Sequence, residues 1–209
     1  MPRDLQLDTM RLYRWLTHQR ADWGGQLVLL NGAGCTQTGA PPAISIAGGT
    51  TLALDSDAAA MKSAQRAGYL DFVVNSLDEA LRALKNEVRR KRPLSVGLIA
   101  DVAATLAEIG ERGIVPDLRL APQTLQQLPP AQIHCVFDEH FFAAKDASAL
   151  REIDAALLAA VPPDDLLRRR WLQRAPQFLR EARSGGRWIW LAHSELSALA
   201  AQGLTPAPR

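Results

Sequence analysis

A glycine-rich stretch between two apolar runs holds the residues best suited to chemistry. Gly32 and Gly34 have no Cβ, so the main chain there can approach a ligand closely and adopt backbone angles that other residues avoid. If this stretch opens a helix, the free N–H groups of that helix would attract an anion such as a pyrophosphate. Hydroxyl and amide side chains in the stretch add further donors. The candidate phosphate-binding residues are Gly32, Ala33, Gly34, Cys35, Thr36, Gln37, Thr38 and Gly39.

An acidic residue, Asp55, ends the second apolar run, about 20 residues after the glycines, where a dinucleotide site places an acid against the ribose hydroxyls. A carboxylate there favours NAD over NADP because it would repel a 2′-phosphate. The glycine spacing is G-x-G-x-x-x-x-G and not the usual G-x-G-x-x-G, so a plainer interpretation stays open, in which the glycines serve a tight turn and Asp55 caps a helix. Asp101 is the remaining candidate cofactor-binding residue. We predict no catalytic residue and no metal ligand.

Strand-like and helix-like segments alternate from residue 26 to residue 120. Short apolar runs bounded by turn residues predict strands buried on both faces, and apolar residues at helical spacing predict the helices between them. The predicted strands are 26–30, 50–55, 70–74, 94–99 and 115–120, and the predicted helices are 57–66, 77–88 and 102–111. Ser76 and Glu79 fit a capping box. This order predicts an α/β fold, a doubly wound and mostly parallel sheet with helices on both faces.

The flanking regions supply the other predicted elements. We expect residues 1–22 to form a leading helix segment, residues 23–204 the main domain, and residues 205–209 a disordered tail. The leading helix itself is predicted at 5–19. Beyond a proline-bearing loop at 121–130, the pattern predicts a strand at 133–138, a helix at 147–160, a helix opened at Pro162, restarted at Pro176 and ended at 184–186, and a last strand at 187–192.

The composition of the 209-residue chain is that of an ordinary globular protein, with a formal net charge of +2. That charge is too small to favour nucleic acid binding, and the basic runs 89–92 and 168–170 are interpreted as solvated helix ends, with phosphate binding as the alternative. Two cysteines do not make a disulfide framework, and no uncharged apolar run is long enough to span a bilayer. We therefore expect a cytoplasmic protein with no nucleic acid or membrane partner.

Several segments, in a common order, resemble the urocanase (urocanate hydratase) family. Residues 23–30 are similar to the family's run into its glycine loop, and residues 47–55 to its Ala-Gly-Gly and the strand that follows. The further similar segments are 68–71 (GYLD), 77–81 (LDEAL), 94–98 (LSVGL), 112–117 (RGIVPD), 136–138 (VFD) and 187–191 (RWIWL). The resemblance implies the family's Rossmann-like domain, NAD as the cofactor, and a connection with histidine catabolism.

The sequence departs from the family where the substrate site should be. Full urocanases are much longer, and the chain that builds most of their substrate-binding core has no counterpart here. The family's DQTSAHD stretch is reduced to residues 121–125, its FDYGNN becomes residues 137–142, and its cysteine ahead of the Arg-Trp strand is missing from 178–186. In the family, NAD is a tightly held electrophile that adds to the urocanate imidazole, and we find no pocket for that chemistry.

Three functions remain as hypotheses. In the first, the chain is a stand-alone NAD-binding protein without hydratase activity that serves cofactor binding, sensing or complex formation, with a protein partner or as a homodimer. In the second, it is a small enzyme, either a residual urocanate hydratase (a lyase) or an NAD-dependent oxidoreductase. In the third, it is a scaffold that has lost its ligand, because Cys35, Thr36, Gln37 and Pro41-Pro42 narrow the space for a pyrophosphate.

Overall fold

A five-stranded parallel sheet forms the centre of the molecule. The computed structural model describes residues 4–32, 38–121 and 137–208. The strands are β1 (Leu27–Asn31), β2 (Thr50–Asp55), β3 (Phe72–Val74), β4 (Leu94–Ile99) and β5 (Leu118–Leu120), in the spatial order β3-β4-β2-β1-β5. The central strand β2 is buried along its whole length, as expected for a parallel strand that is covered on both faces.

Helices cover both faces of this sheet. One face carries α1 (Leu5–Gln19), α2 (Ala40–Ala47) and α3 (Ala58–Ala67), and the other carries α4 (Leu77–Arg90) and α5 (Val102–Glu111). Successive side chains of a strand point to opposite faces, so Ala53 of β2 joins the first core whereas Leu52 and Leu54 join the second. The predicted α/β architecture, a parallel sheet between helix layers, is confirmed.

Short polar side chains fix where these helices begin. Asp4, Asp57, Ser76 and Asp101 are the N-cap residues of α1, α3, α4 and α5, and each side chain accepts a hydrogen bond from an N–H of the first turn. At α4 the donor is the N–H of Glu79, at 3.2 Å from Ser76 Oγ, so this half of the predicted capping box is present. In the part of the chain that the structure describes, no helix combines the length and the hydropathy needed to cross a membrane.

Residues 137–208 form a further layer on the side of α1 and α2. Strand β6 (Phe137–Ala143) pairs antiparallel with β7 (Gly186–Ala192) in a second, two-stranded sheet. This layer also contains α6 (Ala147–Ala160), α7 (Leu166–Phe178), a 3-10 turn (Glu181–Arg183) and α8 (His193–Ala201). After α8, the N–H of Ala207 donates a hydrogen bond of 2.7 Å to the carbonyl of Phe141. The apolar residues of this layer share one core with those of α1 and α2.

Two elements of this layer differ from their predicted form. The strands predicted at 133–138 and 187–192 pair with each other and not with the parallel sheet, and β6 runs on to Ala143 because its partner β7 continues the ladder. Residues 133–136 lie outside the described residues. Helix α7 begins only after Asp165, whose carboxylate caps it, and it ends at Phe178 with Pro176 inside its last turn.

Arginines of α7 attach this layer to the helices below it. Arg170 donates to the carbonyls of Ala21 (2.8 Å) and Ala47 (3.3 Å), and Arg174 donates to that of Ile46 (3.2 Å). Ile46 and Ala47 end α2, where carbonyls lack partners within the helix. Arg168 is only 2% exposed, so the interpretation of residues 168–170 as a solvated helix end is wrong, and all three arginines donate hydrogen bonds to protein groups.

Candidate functional site

The predicted phosphate loop and the predicted ribose-binding acid lie next to each other, at the ends of the neighbouring strands β1 and β2. Asn31, the last residue of β1, is in register with Leu54, and the N–H of Gly32 donates to the carbonyl of Leu54 at 3.2 Å. The loop therefore begins beside Asp55, the last residue of β2. On the other side of β2, the N–H of Ala100 donates to the carbonyl of Asp55 at 3.2 Å. Ligands of open α/β sheets bind outside this carboxyl edge.

Asp55 is a buried acid with one unused oxygen. The residue is 4% exposed, and its Oδ1 accepts a hydrogen bond of 3.0 Å from the N–H of Asp57. Oδ2 is buried as well and has no hydrogen-bond partner among the described residues. Helix α3 is capped by Asp57, which accepts from the N–H groups of Ala59 and Ala60, so the alternative that Asp55 serves as the helix cap is wrong. A buried acceptor without a donor is costly unless a ligand supplies one.

Asp101 lies at the same edge but is already engaged. Its Oδ1 caps α5 by accepting the N–H of Ala104 at 2.7 Å, and its backbone carbonyl accepts the hydroxyl of Thr105 at 2.7 Å. The side chain is exposed, in contrast to that of Asp55. Asp101 therefore has a structural role of its own, and any contact with a cofactor would use its second oxygen.

The two ends of the glycine-rich loop have the backbone conformation that glycine tolerates best. Gly32 has a φ of 104° and Gly39 a φ of 76°, both in the left-handed region. Gly39 also approaches α1 so closely that a Cβ there would collide with Oγ1 of Thr9. Ala33, Gly34, Cys35, Thr36 and Gln37 lie outside the described residues, so their predicted part in phosphate binding stays a prediction.

The helix that follows the loop offers fewer amides than expected. Of the first three residues of α2, Pro41 and Pro42 have no N–H, and the N–H of Ala43 donates to the carbonyl of Gly39 at 3.1 Å. All four residues from Ala40 to Ala43 are buried. The expected attraction of an anion by several free N–H groups of this helix is thus weakened, and a bound diphosphate would depend mainly on amides of the loop itself.

Thr9 of α1 belongs to this neighbourhood, and the sequence did not indicate it. The residue is fully buried, its hydroxyl has no hydrogen-bond partner among the described residues, and it lies next to Gly39. The sequence does not distinguish Thr9 from the other polar residues that α1 buries, Gln6, Arg14 and Thr17, and it does not reveal that α1 runs beside the loop. Among the described residues, two buried polar atoms near this edge therefore have no hydrogen-bond partner, the hydroxyl of Thr9 and Oδ2 of Asp55.

The described residues contain no group of three or more His, Cys, Asp or Glu side chains that could hold a metal ion. His134 and Cys135 lie outside them.

A comparison with known families matches the part of the chain that contains this edge. Residues 10–127 match the family model of the urocanase Rossmann-like domain. The match spans more than half of the chain and runs from within α1 to beyond β5, so it includes the glycine-rich loop and Asp55. The layer built from residues 137–208 lies outside the matched range.

Proposed function

Because the chain belongs to the urocanase Rossmann-like domain family, we propose that it binds NAD at the carboxyl edge of its parallel sheet. Membership of the family supports dinucleotide binding, and the choice of NAD is our inference from Asp55. In this proposal, backbone amides between Gly32 and Gly39 hold the pyrophosphate, and Oδ2 of Asp55 accepts hydrogen bonds from the ribose hydroxyls. Bound in this way, NAD would be available as an electrophile or a hydride carrier.

The unpartnered oxygen of Asp55 is the observation that carries the proposal. The carboxylate is buried beside the first residue of the loop, and Asp57 fixes its orientation through Oδ1. In this proposal a ribose diol supplies the donors that Oδ2 lacks among the described residues. The same carboxylate would lie against the extra phosphate of NADP, and burial strengthens that repulsion because water screens it less.

Titration calorimetry with NAD, NADH and NADP tests this proposal. We expect saturable binding of NAD and NADH, and binding of NADP at least tenfold weaker. Asp55→Asn should bind NAD more weakly than the unaltered protein. Asp138→Asn is its matched control, since Asp138 is an exposed acid of β6. The absence of saturable heat with millimolar NAD or NADH would overturn the proposal, and so would a preference for NADP.

A ligand-free interaction protein is the second candidate, and the start of α2 favours it. Pro41 and Pro42 remove two amides that a phosphate-binding helix normally presents, and the first turn of α2 is buried. This candidate predicts no heat with any dinucleotide, together with self-association or capture of a partner in light scattering and pull-down experiments. Saturable NAD binding by a monomer would exclude it.

A further inference from the structure

The sheet of β6 and β7 has no third strand among the described residues, so both of its strands are edge strands. An edge strand presents N–H and C=O groups that can pair with a strand of another chain. Each edge of this sheet is covered by a group that does not belong to a strand. Gln6 of α1 covers β7, and Ala207, which follows α8, covers β6.

The side-chain amide of Gln6 covers the outer edge of β7. Its Oε1 accepts the N–H of Trp188 at 2.6 Å, and its Nε2 donates to the carbonyl of Gly186 at 3.3 Å. A carboxamide has the donor and the acceptor of a peptide group, so it takes the place of a neighbouring strand. Gln6 is 3% exposed, so a buried side chain closes this edge.

On β6, the backbone groups of Phe141 face away from β7. Residues of an antiparallel pair alternate between those that bond the partner strand and those that point to the other side. The N–H of Ala144 donates to the carbonyl of Gly185, so Ala143 and Phe141 point outwards. The rings of Phe141 and Trp188, which are opposite each other, have centres 5.3 Å apart, as expected for a pair that shares no hydrogen bond.

Residues 203–208, which we call the strap, lie along this outward side of β6. Gly203 has a φ of 82° and ends the course of α8, and Leu204 packs against the main core. The N–H of Ala207 then donates to the carbonyl of Phe141 at 2.7 Å. Its neighbours are prolines, at 206 and 208, which have no N–H. The strap therefore occupies the edge without becoming a strand to which another strand could add.

We propose that the strap keeps a second copy of this chain from pairing with β6. Without the strap, β6 pairs antiparallel with β6 of another molecule. In the register centred on Phe141, the outward N–H and C=O groups of this residue in the two copies bond each other. This register places Glu139 opposite Ala143 and His140 opposite Phe142, so no like charges are opposed. The proposal holds whether or not the chain binds NAD.

Sedimentation velocity over a concentration series tests the proposal on the full chain and on a chain that ends at Leu204. The full chain should keep one average mass, whereas the mass of the shortened chain should rise towards twice that value. An excess of a peptide of residues 203–208 should reverse this association. The same peptide with an N-methyl group on Ala207 is the matched control, because it lacks the N–H that Phe141 accepts, and it should have no effect.

A further variant identifies the edge that pairs. Ala143→Pro in the shortened chain should abolish the association, because it removes an N–H that points outwards and leaves the bonds between β6 and β7 in place. Equal masses of the full and shortened chains at every concentration would overturn the proposal. Association that persists in Ala143→Pro, or that the peptide does not reverse, would also overturn it.

If the shortened chain fails to fold, Ala207→Pro in the full chain gives the same test. This substitution removes the N–H that bonds Phe141 and leaves the rest of the strap present. We expect Ala207→Pro to associate and Thr205→Ala, at an exposed position of the strap, to behave as the unaltered protein does. An Ala207→Pro variant that stays at the mass of the full chain would show that the strap does not guard this edge.

Discussion

Asp55 and Asp57 are joined by a hydrogen bond of 3.0 Å from the N–H of Asp57 to Oδ1 of Asp55. This contact holds the carboxylate in one orientation while Oδ2 has no partner among the described residues. Asp57 at the same time caps α3 with its own side chain. The two acids therefore have different roles at the end of β2: Asp57 caps α3, whereas Asp55 accepts the N–H of Asp57 through one oxygen.

We predict that Asp55→Asn weakens NAD binding by about tenfold or more. A hydrogen bond to a charged group contributes about 1.5 to 3 kcal/mol, and each 1.4 kcal/mol is a factor of ten in affinity. The substitution should also reduce the discrimination against NADP, because the repelling charge is gone. Calorimetry with both nucleotides measures the two effects. Equal NAD affinity of Asp55→Asn and Asp138→Asn would show that Asp55 does not contact the ribose.

Gly39→Ala should destabilise the fold more than Gly113→Ala. Both glycines have a positive φ, but a Cβ at Gly39 meets Thr9 whereas one at Gly113 meets open space. We expect about 1 kcal/mol at Gly113 from the backbone alone and about 2 to 4 kcal/mol at Gly39, measured by denaturant unfolding. Adding Thr9→Ala to Gly39→Ala should restore part of the difference. Equal losses at the two glycines would contradict the predicted collision.

The ion pair between Arg187 and Asp154 should dominate the stability of the outer layer. Arg187 is fully buried, its Nε and Nη2 each lie 2.7 Å from an oxygen of Asp154, and its Nη1 donates to the carbonyl of Ala182 at 2.8 Å. Removing one partner of a buried pair costs about 3 to 5 kcal/mol, so we expect a loss of that order for Arg187→Met. Arg112→Met, at an exposed arginine paired with Asp78, should destabilise the protein far less, because solvent screens that pair.

Tyr13 should make the folded state less stable in alkaline solution. Burial raises the pKa of its hydroxyl above the usual value of about 10, and the nearby Arg170 and Arg174 oppose this only in part. Below that usual value the contribution of the neutral phenol to stability is fully present. Above it the unfolded chain ionises first, so the contribution is lost as the pH rises towards the folded-state pKa.

The comparison with Tyr13→Phe isolates this effect. Near neutral pH the substitution should cost about 1 kcal/mol, since the hydroxyl donates to the carbonyl of Leu167 at 2.9 Å. The difference in unfolding free energy between the two proteins should shrink above about pH 10. Urea unfolding at a series of pH values measures it. A difference that stays constant into the alkaline range would mean that Tyr13 ionises equally in both states.

The sequence predicts the parallel half of the fold well because its elements are specified locally. Strands 50–55 and 94–99 and the helix at 102–111 have the bounds that the structure shows, since each is an apolar run or stripe between clear turn and cap residues. The separate pairing of β6 with β7 was not predictable in this way. It joins Phe137 to Ala192, far apart in the chain, and no local pattern names a strand's partner.

The candidate site was likewise predictable where local patterns specify it and not where distant segments meet. The juxtaposition of Gly32 with Asp55 followed from the order of strand, loop and acid. The sequence offered two roles for Asp55, and only the position of Asp57 two residues later excludes the capping role. Thr9 reaches the loop because α1 packs on α2, and no local pattern in the sequence indicates which helices pack together.

The residues that match the family model and the residues that pack into one core cover different parts of the chain. A polypeptide stopped at residue 127, the limit of the family match, would lose the guanidinium groups that bond the carbonyls of Ile46 and Ala47. It would also uncover Tyr13, whose ring packs against Trp171 and Trp190. Transplanting the carboxyl edge of the parallel sheet into another protein would therefore require α7 with its arginines to be included.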